Sequence, residues 1–260
     1  MPFEKRPALF CRPAKKGFHM KKKICGFLLL LCMMVGLLTG CGNKESQFQS
    51  YIQSLITANY LGTSDEYIKT TGVNQADAEA LYLQNATRLA NNLNAYYGLD
   101  ITNDTEMGPR LIEVSKLIYS KIRYEVSPTK MVNGIYYVDI TIHPINILND
   151  THDKVVAYVH EFNEKVATGA YNSYSKEDYR RAFASGILDI LEEGAKNLTY
   201  QDPQTVTVRI IEGKTSFYIS DDDLRAIDEL VIATLSEENK NPEPATEDDG
   251  STEETTQSWG

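Results

Sequence analysis

Apolar side chains recur at three- and four-residue spacing in some stretches of this chain and alternate with polar ones in others. The chain therefore reads as helices interrupted by hairpins. Phe48, Tyr51, Ile52 and Leu55 share one face of a helix from about Phe48 to Ala58. Tyr67 and Ile68 mark a further turn. Ala78, Leu81, Tyr82, Leu89, Leu93 and Tyr96 predict a long helix, capped by Asn74 or a neighbour, reaching Tyr97 and stopped by Gly98. Pro109 suits the first turn of another, which runs to about Ser120 with Leu111, Val114, Leu117 and Ile118 on its face.

The period then changes. Ile122, Tyr124 and Val126 alternate with polar residues, as do Tyr136, Val138, Ile140 and Ile142 after Asn133-Gly134. Asparagine–glycine between alternating segments is a strong hairpin signal. Helical spacing returns at about Asp153 to Thr168, through Val155, Val159, Phe162 and Val166. Ser175 with Asp178 reads as an acidic capping box for a helix ending near Gly194. A second hairpin follows: Val206, Val208 and Ile210, a turn at Glu212-Gly213, then Phe217 and Ile219. Ser220 with Asp223 opens a last helix carrying Leu224, Ile227 and Val231.

These elements predict an α+β fold, with helices packed on one face of a small antiparallel sheet built from two hairpins. The folded part spans residues 48–235, as one domain or as two halves at about 48–145 and 146–235. From Ser236 the pattern gives way to acidic residues with Pro242, Pro244 and the single tryptophan, Trp259. Residues 236–260 are expected to form a disordered acidic tail.

The N-terminus changes the picture most. Lys21, Lys22 and Lys23 precede an apolar run from Ile24 to Leu38, which is short for a bilayer core of about 30 Å. Basic, then apolar, then small is the layout of a secretory signal peptide, here residues 1–40, with Met20 as the preferred start. Leu38-Thr39-Gly40-Cys41 closes the run. This tetrapeptide resembles the bacterial lipobox, in which Leu38, Thr39 and Gly40 are read by the signal peptidase. The resemblance implies that Cys41 carries a diacylglyceryl group, which makes membrane lipid the first expected partner. Two acyl chains anchor stably where one binds only marginally. The expected location is the outer, extracytoplasmic face of the cell membrane, with residues 41–47 as lipidated cysteine and tether.

Charge bounds the partners. After Cys41 there are 18 basic and 35 acidic residues, a net charge of −17. That argues against nucleic acid and against lying flat on anionic lipid. All four cysteines lie at or before position 41, so the mature chain has no disulfide and no cysteine metal site. All 16 tyrosines lie after Cys41. Core and interface packing is their expected role, with a glycan or peptide groove as the alternative.

The chain also resembles a group of uncharacterised lipoproteins from Gram-positive bacteria of the clostridial kind. The lipobox carries the resemblance, together with the segment from Tyr51 to Tyr67 and the helix-then-hairpin unit ending Tyr-Tyr-Val-Asp-Ile-Thr-Ile-His-Pro at 136–144. It implies location and architecture, and transfers no catalytic residue.

The candidate chemistry is sparse. His143, His152 and His160 do not have the i, i+4 spacing that lets one helix chelate a metal. Ser185-Gly186 lies in a helical pattern, where close packing is the expected reason for glycine. Asp65-Glu66, Glu192-Glu193 and Asp221-Asp222-Asp223 are acidic pairs, the last best placed to offset a helix dipole. No catalytic residue, metal or cofactor is expected. The leading expectation is a non-enzymatic surface domain that binds a cell-wall component, a peptide or a partner protein. A solute-binding component of an import system, which would show two lobes with parallel sheets, and a carboxylate hydrolase are the alternatives.

Overall fold

A computed structural model describes residues 44–212, 217–236 and 239. The signal peptide, Leu38, Thr39, Gly40, Cys41, Gly213 and the tail from Lys240 with Trp259 lie outside the described residues. The fold is α+β. Helix α1 (Lys44–Ile56) passes into a π-helical turn (Thr57–Leu61), then α2 (Asp65–Thr71), α3 (Gln75–Tyr97) and α4 (Met107–Tyr119). The sheet segments β1 (Arg123–Val126), β2 (Lys130–Val132) and β3 (Ile135–His143) follow. Helices α5 (Ile147–Asp150), α6 (His152–Ala167) and α7 (Lys176–Lys196) cross over to β4 (Gln204–Glu212) and β5 (Phe217–Tyr218). Helix α8 (Asp221–Val231) ends the sequence of elements.

The three expected caps form. The side chains of Asn74, Ser175 and Ser220 accept from the backbone N–H of Asp77, Asp178 and Asp223 at 2.9, 3.0 and 3.1 Å. Each satisfies a donor that the first helical turn leaves free. Helix α4 starts two residues before the proline that was expected to open it. Its cap is Asp104, whose carboxylate accepts from the N–H groups of Glu106 and Met107, both at 2.9 Å. Helix α1 starts at Lys44, inside the stretch expected to be tether. Ser236, the expected start of the tail, is still held: its N–H donates to Asn149 Oδ1 at 2.8 Å.

The strand order is β1-β3-β4-β5, with β2 on the same edge of β3 as β1. All of these ladders are antiparallel. Val126 faces Ile140 and Lys130 faces Tyr137, so four steps on the edge match three on β3. That extra residue is a bulge, and it splits one edge strand into β1 and β2. Asn133 and Gly134 turn the chain with φ of 52° and 81°. This is the left-handed pair that a two-residue hairpin requires.

Alternation decides the two sides of the sheet. Val138, Ile140, Ile142, Val208 and Ile210 are buried against the helices. One hydrophobic core runs from Phe48 to Val231 and includes residues on both sides of position 145. Helix α1 and the π-helical turn after it pack on the covered face and reach β1 and the segment before β2. Thr129 Oγ1 donates to the Glu45 carbonyl at 2.7 Å, Gln49 Nε2 to the Val126 carbonyl at 2.9 Å, and Thr57 bonds the Tyr124 hydroxyl at 2.6 Å.

Candidate functional site

Among the described residues the other side of the sheet is left open. Side chains at odd positions of β3 and β4 point there, because side chains alternate along a strand. The cross-strand registers arrange them in rows. Arg123 stands opposite His143 at one end, then Glu125, Thr141 and Thr205. Asp139 and Thr207 follow, then Lys130, Tyr137 and Arg209. At the far end Val132 faces Ile135, and the same register carried one step further sets Ile135 beside Ile211, which faces Tyr218. The face therefore grades from polar rows to an apolar row at the Asn133-Gly134 tip.

The polar rows are tied to one another. Asp139 accepts from Lys130 Nζ at 2.8 Å and from Thr207 Oγ1 at 2.7 Å, and these bonds hold its carboxyl below the usual range. Thr141 and Thr205 share a hydrogen bond of 2.9 Å. The Arg123 guanidinium lies 4.0 Å from the centre of the Tyr200 ring, a cation–π contact. Grooves open to solvent at both ends. One of about 380 Å³ at the tip involves Ile135, Tyr136, Ile211 and Phe217. The other, of about 520 Å³, lies along Tyr200 to Gln204.

A second cluster is interior. Tyr60 comes from the π-helical turn, Arg88 from α3, Tyr119 from α4 and Asp228 from α8. The Tyr60 hydroxyl donates to Asp228 Oδ1, and Arg88 lies 2.5 Å from the same oxygen. Arg88 also bonds Asn85 Oδ1, while Asn85 Nδ2 donates to the Asn59 carbonyl at 2.9 Å. Burial pushes the Asp228 carboxyl up, and Arg88 opposes it. Burial and the neighbouring Asp228 raise the Tyr60 hydroxyl well above its usual value. Burial raises Tyr119 to about 12, against the pull of Arg88. Perturbed groups of this kind occur at active sites and in structural ion-pair networks alike. Here the groups bond one another, and tie α8 to the N-terminal helices. None of the four was foreseen in a site. The signal was Asp228 itself, four residues after Leu224 and three before Val231, on the stripe that α8 turns inward.

The other candidates are dispersed. His143 ends β3, His152 begins α6, and His160 lies on the exposed side of α6, 3.6 Å from Glu164. Among the described residues no group of three or more His, Cys, Asp or Glu can hold a metal ion. Ser185 accepts from Arg110 Nη1 at 3.1 Å. A Cβ on Gly186 would collide with the ring of Tyr158, whose hydroxyl donates to the Ala182 and Phe183 carbonyls at 3.0 and 3.1 Å. Close packing is thus the reason for that glycine. Glu192 is gripped at both oxygens by Arg110, each at 3.0 Å, and Glu193 pairs with Lys196 at 2.6 Å. Asp221, Asp222 and Asp223 form the first turn of α8, where Asp223 also accepts from the Arg209 N–H at 3.3 Å. Glu66 of the Asp65-Glu66 pair meets Lys69 at 3.4 Å.

Several tyrosines pack in the core or between helices, which is the expected use of the ring. Tyr51, Tyr60, Tyr67 and Tyr119 are buried. Tyr158, Tyr171 and Tyr179 pack in stacked, tilted and edge-to-face contacts with Phe162 and Phe183 around α6 and α7. Tyr137 stands on the open face.

No protein-family model matches the chain, and no curated protein matches it. The fold is similar to that of ycdA from Bacillus subtilis, a presumed lipoprotein of a Gram-positive bacterium, with a TM-score of 0.52 and 16% sequence identity. The match covers 73% of this chain and 58% of that one. At this identity the likeness concerns the fold. Among the described residues no helix is long and apolar enough to cross a membrane.

Proposed function

We propose that the chain is a lipoprotein, anchored through Cys41 to the outer face of a bacterial membrane, whose folded domain binds rather than catalyses. The open face of the sheet carries the reading. It offers a tyrosine, threonines and two arginines on rigid strands, and a flat ring beside hydrogen-bonding groups suits a ligand. The signal peptide and lipobox, and a fold shared with a presumed lipoprotein, support the location. The engagement of Ser185, Glu192 and Glu193 in helix-to-helix and intrahelical bonds supports the non-enzymatic reading. The proposed partner class is a cell-wall component, a peptide or a surface protein.

Thermal unfolding of the mature chain against muropeptides, oligosaccharides and short peptides tests the binding. A ligand of the folded state at a hundredfold excess over its dissociation constant adds about 2.7 kcal/mol of stability. A raised midpoint that Tyr137→Ala abolishes is the expected result. Steady turnover of any of these compounds would contradict it. For the anchor, Cys41→Ala is expected to release the chain from the membrane fraction.

A further inference from the structure

The tip of the sheet concentrates exposed apolar surface. Met131 is 58% exposed, Val132 53%, Ile135 38% and Tyr218 36%. The β2–β3 turn and the end of β4 lie at the same pole, since Tyr136 faces Ile210 and Ile211 faces Tyr218. The start of α1 is there as well. The Glu45 carbonyl accepts from Thr129, Phe48 lies 4.8 Å from Tyr136 and 4.9 Å from Phe217, and Lys44 Nζ sits 6.0 Å from the centre of the Phe217 ring. Three peptide units separate Cys41 from Lys44, so covalent geometry holds their Cα atoms within about 11 Å.

We infer that this tip is a second membrane contact: Met131, Val132, Ile135 and Tyr218 enter the lipid interface beside the acyl chains on Cys41. The inference rests on the lipid anchor proposed above. The anchor tethers this pole within about 11 Å of the lipidated residue. Aliphatic and tyrosine side chains flanked by Lys44 and Lys130 suit the headgroup boundary, where apolar bodies are buried and ammonium groups stay wet. The last described residues lie at the opposite pole. The Ile145 N–H donates to the Val231 carbonyl and the Ala233 N–H to the Ile145 carbonyl, each at 2.9 Å, beyond the far end of β3. An end-on footprint also fits a net charge of −17 after Cys41, which disfavours a broad contact with anionic lipid. The polar rows of the open face then stand upright, away from the bilayer.

The sequence after Cys41 has no cysteine, so a single introduced one can be labelled. Nitroxides would be placed at Met131→Cys, Val132→Cys and, at the other pole, Thr234→Cys. The lipidated chain would be reconstituted in vesicles of phosphatidylglycerol and phosphatidylcholine, with thermal melting to verify folding and mass spectrometry to verify the acyl group. The expected result is that labels at 131 and 132 lose most collisions with a water-soluble nickel complex and gain collisions with oxygen, while the label at 234 stays in water. Aqueous labels at all three positions on an acylated chain would overturn the inference and leave the anchor standing. A chain carrying a free Cys41 thiol would overturn both.

Discussion

The two faces of one sheet differ in everything but their backbone. Ile140 and Val208 on the covered face are fully buried, whereas Thr207 and Arg209, on either side of Val208 in sequence, stand in solvent. The covered face is uniform in chemistry, and its worth lies in packing. The open face is mixed, and its side chains have little to do for the fold. Alternation thus separates stability from recognition within single strands, and each substitution should declare which side it strikes.

The largest effect is expected on the covered face. Ile140→Ala leaves a cavity between β3 and the helices and should cost about 2–5 kcal/mol in denaturant unfolding. A loss under about 1 kcal/mol would mean that the helix layer closes over the gap, and the contrast between faces would fail.

The helix layer has its own buried weak point. Asp228→Ala removes the acceptor shared by Tyr60 and Arg88. Losing one partner of a buried pair costs about 3–5 kcal/mol, and the partial exposure of Arg88 reduces this to about 2–3 kcal/mol. At high pH the same cluster should unfasten. Tyr119 titrates near 12 when folded and near 10 when unfolded, so stability is lost as pH rises between these values. Tyr119→Phe should make that alkaline limb shallower, with the share due to Tyr60 remaining.

A smaller effect is expected at Asp104. Asp104→Ala removes the cap of α4 and the 2.7 Å bond from Arg181 Nε, for a loss of about 1–2 kcal/mol. The backbone N–H of Met107, Arg181 and the N–H of Glu106 hold this carboxyl at about 2. Its contribution is therefore complete above about pH 4 and disappears as pH falls towards 2. The parent and Asp104→Ala stability curves should converge at that acid end.

The smallest effect belongs to the open face. Thr207→Ala gives up one exposed hydrogen bond to Asp139 and should change stability by less than about 0.5 kcal/mol. A cost comparable to that of Ile140→Ala would show that the open face is a structural surface.

The covered face was legible in the sequence because period-two alternation and the Asn133-Gly134 turn both act locally. The caps at Asn74, Ser175 and Ser220 were legible for the same reason. β2 was not, since the bulge at residues 127–129 interrupts the alternation on which the reading depends. Asp104 was missed because Pro109 offered a louder start signal further along. The Tyr60–Arg88–Tyr119–Asp228 cluster joins residues up to 168 positions apart, and no spacing rule reaches that far. The open face lay between these extremes. Its residues on β1, β3 and β4 were assigned to strands, but their grouping into rows depends on the β3–β4 register, which joins segments separated by a long helical crossover.

Photo-crosslinking on intact cells tests the central claim most directly. A benzophenone side chain would replace Tyr137 on the open face, and in a second strain Leu83, which is 49% exposed on α3. The account predicts adducts with wall material or a surface protein from position 137 and few from position 83. Equal labelling from both positions, or none from 137 on a correctly displayed chain, would contradict it.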